Sequence, residues 1–133
     1  MNFKVEHIGI AVKNLQTSIP LFEKLLGSPC YKTEKINSEE VNTAFFLQQN
    51  AKIELLESTN PEGIIAKFID KKGEGIHHIS LEVDDIKFEV TRLKKLGFKF
   101  VNEEPSIGGD GFIVVFLHPK STNGVLIELC QKK

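Results

Sequence analysis

The chain repeats itself. His7-Ile8-Gly9-Ile10-Ala11-Val12-Lys13-Asn14-Leu15 returns as His78-Ile79-Ser80-Leu81-Glu82-Val83-Asp84-Asp85-Ile86, and Ile53-Glu54-Leu55 returns as Ile127-Glu128-Leu129. His7 and His78 stand 71 residues apart and Glu54 and Glu128 74, so two copies of one unit follow each other with small loop changes. Each copy has kept one imidazole and one carboxylate at the same place. Two of each form a reasonable ligand set for one divalent metal ion.

The patterning inside each copy predicts β-α-β-β-β. Residues 3–12 alternate as a strand, with Val5, Ile8, Ile10 and Val12 supplying apolar bulk while His7, Gly9 and Ala11 share the other face. A helix follows, with Ile19, Phe22, Leu25 and Leu26 on one side and Gly27 at its end. Pro20 suits only a first helical turn, which puts the N-cap near Thr17 or Ser18. Strands are expected at about 31–36, 41–48 and 52–57, with a turn at Gln48-Gln49-Asn50. Residues 58–75 read as a connector whose Ile64, Ile65, Phe68 and Ile69 have helical spacing, ended by Gly73.

The second copy gives a strand at 76–83 and a helix at 85–96, then strands at 99–101, 112–117 and 124–129. Ile107-Gly108-Gly109-Asp110-Gly111 reads as a hairpin turn, because it lacks the Lys-Ser/Thr of a phosphate loop. The expectation is one α+β domain over residues 1–133. It comprises a module at 1–57, a helical connector at 58–75 and a module at 76–133, joined in one curved mixed sheet around a concave cleft.

Strand alternation sharpens the site. His7 lies with the small Gly9 and Ala11, opposite Ile8, Ile10 and Val12; His78 lies with Ser80 and Glu82. Glu54 and Glu128 each point opposite their flanking Ile and Leu. All four are expected on a helix-free face. Two neutral imidazoles and two ionised carboxylates balance a 2+ charge, while four buried ionisable groups without a cation would be costly.

Composition removes other classes. With 133 residues, a formal charge of −1, 26% charged residues and Arg92 as the single arginine among 17 cationic residues, no basic stripe for nucleic acid exists. No run is long enough for a bilayer-spanning helix. Cys30 and Cys130 belong to no C-x-x-C pair and read as reduced thiols, and Met1-Asn2-Phe3-Lys4 shows no leader, so a cytoplasmic setting is expected.

The stretches V-E-H-I-G-I-A-V at 5–12, K-I-E-L-L-E at 52–57, G-I-H-H-I at 75–79, F-L-H-P-K at 116–120 and the closing G-V-L-I-E-L resemble the vicinal oxygen chelate (glyoxalase-like) superfamily. Within it they are most similar to the branch that epimerises methylmalonyl-coenzyme A. The resemblance implies a vicinal oxygen chelate fold and His7, Glu54, His78 and Glu128 as ligands of one divalent ion (cobalt, zinc, nickel or manganese). In other epimerases the position of Glu54 can be glutamine.

It further implies an acyl-coenzyme A substrate, a homodimer, and 1,1-proton transfer through an enolate, with the metal as Lewis acid. Glu128 is then one proton-transfer group. The other is a glutamate in a loop that reads Glu-Gln-Gly-Val in relatives and Ser38-Glu39-Glu40-Val41 here. Strand alternation back from Val41 favours Glu39 over Glu40. Two alternatives stand beside this: a glyoxalase I-type lactoylglutathione lyase using the same ligands, and a non-catalytic small-molecule binder of the same fold.

Overall fold

A computed structural model describes residues 3–133; the Met1-Asn2 start used in the leader argument lies outside the described residues. The elements run β1 (Lys4–Ala11), α1 (Leu15–Leu26), β2 (Lys32–Ile36), β3 (Val41–Phe46), β4 (Lys52–Ser58), α2 (Ile64–Lys72), β5 (Gly75–Glu82), α3 (Ile86–Lys95), β6 (Ser106–Ile107), β7 (Phe112–Phe116) and β8 (Ile127–Lys132). Short 3-10 turns lie at Asn37–Glu39 and Pro119–Ser121. The βαβββ order appears twice, with α2 as the connector helix, and the fold is α+β. Among the described residues no helix is long and apolar enough to cross a membrane.

The chain divides into two compact units, residues 7–77 and residues 3–6 with 78–133. In the first, the strands lie in the order β2-β3-β4-β1, with β1 parallel to β4 and the other pairs antiparallel. One sheet face carries Ile10, Val12, Ala44, Phe46, Ile53 and Leu55 against Leu15, Ile19, Phe22 and Leu26 of α1. Phe46 is fully enclosed there, a burial that stabilises by roughly 1.5–3 kcal/mol. The opposite face buries Ala11, Ile36, Val41 and Leu56 beneath Ile65, Phe68 and Ile69 of α2.

α1 begins earlier than Pro20 led us to expect. Asn14 is its N-cap and accepts a 2.7 Å hydrogen bond from Gln16 N through Oδ1, while Glu57 Oε2 at the end of β4 accepts from Leu15 N at 3.1 Å. Two caps thus satisfy the first turn. Pro20 falls inside the helix on its exposed side.

In the second unit the order is β5-β8-β7-β6, with β5 parallel to β8. Leu81, Ile113, Val115, Ile127 and Leu129 pack against Ile86, Val90 and Leu93 of α3. Asp85 caps α3 by accepting from Phe88 N at 3.1 Å, and Gln131 Oε1 accepts from Ile86 N at 2.8 Å. The strand expected at 99–101 reduces to a single bridge between Phe100 and Leu117, and the edge strand lies instead at Ser106–Ile107. Both of its residues are exposed, so no burial pattern marked it. The strand placed at 124–129 is Ile127–Lys132: Asn123 (φ 56) and Gly124 (φ 85) hold a left-handed turn incompatible with extended pairing.

Candidate metal centre

In the first unit the parallel register pairs Gly9 with Glu54 and Ala11 with Leu56. His7 and Glu54 therefore rise from neighbouring strands on one face, with a side chain missing at Gly9 between them. Both are 6% exposed, and His7 Nδ1 lies 3.2 Å from Glu54 Oε2. The spacing suits an N–H donated to the carboxylate. It equally suits two donors on one ion, since bonds of about 2.0–2.2 Å at tetrahedral or right angles leave ligand atoms roughly 3–3.5 Å apart.

The second unit repeats the register: Ser80 pairs with Glu128 and Glu82 with Cys130. His78 and Glu128, 4% and 3% exposed, bring ligand atoms within 4.8 Å of each other. The edge of the His78 ring meets Phe116, centroids 5.6 Å apart, which fixes the imidazole plane. In each unit the donor set is one imidazole and one carboxylate, buried and held on strands, and this chemistry fits a divalent ion of the zinc, cobalt, nickel or manganese group.

The expected helix-free face needs correction in the first unit. α2 packs on Ala11 and Leu56, which share the face of His7 and Glu54, and so covers its end at the C-termini of β1 and β4. The connector's apolar spacing announced a helix but not the side it would take.

The geometry behind Glu39 also differs. Residues 37–39 form a 3-10 turn, so strand alternation does not extend back from Val41. Glu40 adopts a left-handed φ of 54, is exposed, and accepts a 2.7 Å hydrogen bond from Asn60 Nδ2. Glu39 is half-buried at the end of the turn.

Several residues on these faces escaped the sequence reading. Phe45 pairs with Glu54 and Phe116 with Glu128, so an aromatic belongs to the repeat. Its 71-residue spacing, equal to that of the histidines, was the available signal. Lys52, 8% exposed, shares the face of Glu54. In the second unit Cys130 is fully enclosed; burial pushes its thiol up to about 12, Ser80 pulls the other way, and the nearby carboxylates of Glu128, Glu6 and Glu82 each add a smaller upward push. Ser80 Oγ is itself buried beside this strand.

His77, His118 and Lys94 make structural contacts. The His77 ring sits edge-on to Phe68 at 4.9 Å, and His118 Nδ1 accepts from Lys120 N at 3.1 Å, capping the 3-10 turn. Lys94 pairs with Glu103 at 2.6 Å.

Residues 6–116 match the glyoxalase, bleomycin resistance protein and dioxygenase superfamily. The chain belongs to this family, the vicinal oxygen chelate superfamily, and has its fold. It is 43% identical over 132 residues to the mitochondrial methylmalonyl-CoA epimerase of Dictyostelium discoideum, covering 97% of this chain and 78% of that one. A hypothetical protein of Bacillus halodurans superposes with a TM-score of 0.96 at 42% identity, covering 100% of this chain and 96% of that one. A Streptomyces coelicolor methylmalonyl-CoA epimerase variant in complex with 2-nitronate-propionyl-CoA does so with a TM-score of 0.92 at 28% identity, covering 98% and 96%.

Proposed function

We propose that this chain is a methylmalonyl-CoA epimerase in which His7, Glu54, His78 and Glu128 together hold one divalent ion. The observation that carries the reading is the duplicated pair, a buried imidazole beside a buried carboxylate in each half. The likeness to epimerases along nearly the whole chain supports this reaction over the lyase.

The proton at C2 of methylmalonyl-CoA lies between a thioester and a carboxylate. When bound, the ion supplies Lewis acidity, lowering the cost of negative charge on the substrate's oxygens. Glu128 takes the C2 proton from one side, and the electron pair it leaves spreads into the adjoining carbonyl groups as an enolate. Glu39 delivers a proton from the opposite side, and the C2 configuration inverts. The reverse direction exchanges the two roles. The aromatic rings of Phe45 and Phe116, each paired with a carboxylate of the set, keep water from the pairs. A symmetric homodimer completes the proposal.

Proton NMR in deuterated water tests it. The C2 proton signal of methylmalonyl-CoA should disappear with cobalt-loaded protein, persist after chelation, and disappear again when cobalt is restored. Metal-replete protein that exchanges no C2 proton would refute the reading.

A further inference from the structure

Each half buries a hydroxyl beside its carboxylate, but on different strands. In the second half it is Ser80, fully buried on β5 and paired in register with Glu128. The matching position in the first half is Gly9, which has no side chain to offer. There the hydroxyl comes from Thr43 of β3. Thr43 pairs with Leu56, two residues beyond Glu54 on the same face, and is thus a diagonal neighbour of that glutamate. Diagonal neighbours lie about 7–8 Å apart at Cα, a span that a glutamate side chain can cross.

Thr43 is fully enclosed, and its Oγ1 has no hydrogen-bond partner among the described residues. Leaving a buried hydroxyl unpaired destabilises a fold, and the fold itself does not ask for one here. Val114, nearly the same in shape, stands 71 residues on, at the equivalent place two residues before Phe116, and packs in the second half's core. A hydroxyl held at that cost points to a partner gained on binding.

Glu54 can supply that partner. Its Oε2 lies 3.2 Å from His7 Nδ1. An ion held by both side chains replaces this contact, and a carboxylate with one oxygen on a metal needs a donor at the other to stay oriented. A second carboxylate, Glu34 on β2, pairs with Thr43 across the sheet. Its side chain is 37% exposed and lies 3.7 Å from Lys32 Nζ, so water and an ammonium already serve it. We propose that Thr43 is a positioning residue whose hydroxyl donates to the Glu54 oxygen that the ion leaves free. The inference rests on the metal-centre part of the proposed function.

Titration of metal-free protein with cobalt, in competition with a chromophoric chelator, tests it alongside thermal unfolding without metal. Thr43→Val should weaken cobalt binding roughly 10–100-fold while holding the metal-free midpoint or raising it by up to about 3 °C. Thr43→Ser keeps the hydroxyl and loses a methyl group. It should bind cobalt within about threefold of wild type although its midpoint falls. A merely structural hydroxyl gives the reverse pattern, a lower midpoint and unchanged affinity in Thr43→Val. Unchanged cobalt affinity, or affinity lost together with the metal-free midpoint, overturns the proposal.

The Thr43→Val loss should persist in a Glu34→Ala background; a loss that vanishes there assigns the hydroxyl to Glu34 and overturns the proposal too. Should Thr43→Val not fold, Thr43→Ala against Thr43→Ser gives the same comparison. Wild-type protein that takes up no cobalt removes both readings, and one that binds cobalt but exchanges no C2 proton removes the epimerase reading alone. C2 exchange with equal cobalt affinity in wild type and Thr43→Val removes this inference alone.

Discussion

The two halves share one plan and diverge in what surrounds it. In both, a histidine on the first strand and a glutamate on the last sit in the same parallel register, Gly9 opposite Glu54 and Ser80 opposite Glu128, with a phenylalanine paired to each carboxylate. In both, the residue three positions after the glutamate caps the helix that follows the first strand: Glu57 for Leu15 N, Gln131 for Ile86 N. Around this frame the first half is apolar at Ala11 and Leu56 and roofed by α2, whereas the second carries Ser80, Glu82 and Cys130. Register and ligands have been kept; the lining has been free to change. The lesson is that the shared part is what a metal would need, and the divergent part is what a particular substrate would need.

Substitutions at matched positions test how far that division holds. The largest effect is expected at Glu128, proposed as both ligand and proton-transfer group. Glu128→Gln should lower kcat roughly 10²–10⁴-fold, whereas Glu54→Gln, which keeps an oxygen donor in place, should lower it about tenfold or less. Equal losses in steady-state assays would show that the two carboxylates do the same work.

Next come the cores. Phe46→Ala in the first half should cost about 3–5 kcal/mol and Leu129→Ala in the second about 2–5 kcal/mol in denaturant unfolding, each leaving a cavity under its own helix.

Cys130 supplies a pH test found only in the second half. The folded thiol keeps its proton up to about 12, while an unfolded one releases it near 9.0. The stability tied to that proton is therefore intact below pH 9 and is lost as pH rises toward 12, by about 1.4 kcal/mol per pH unit. Alkaline unfolding of wild type should steepen relative to Cys130→Ala over that window, and an identical slope would contradict it. Cys30, half-buried, should react with a thiol reagent at pH 8 well before Cys130. The smallest effects belong to the caps: Asn14→Ala and Asp85→Ala should each cost about 1 kcal/mol in thermal unfolding.

The sequence was most legible where burial alternates. The strands carrying His7, Glu54 and His78 were expected within one or two residues of where they lie, because each buries one face and period two is then unambiguous. It misled where backbone chemistry outweighed patterning. Pro20 was read as a helix start, yet Asn14 and Glu57, the latter distant in sequence, stabilise an earlier one. Ser106–Ile107 was invisible because an exposed edge strand has no hydrophobic signature. Glu39 was chosen by extending strand geometry into a 3-10 turn.

The roof formed by α2 has a directional consequence. It covers the face of His7 and Glu54 at the ends toward which β1 and β4 run, which leaves the starts of those strands as the side not covered by this helix. Lys52, the first residue of β4, lies buried at that end.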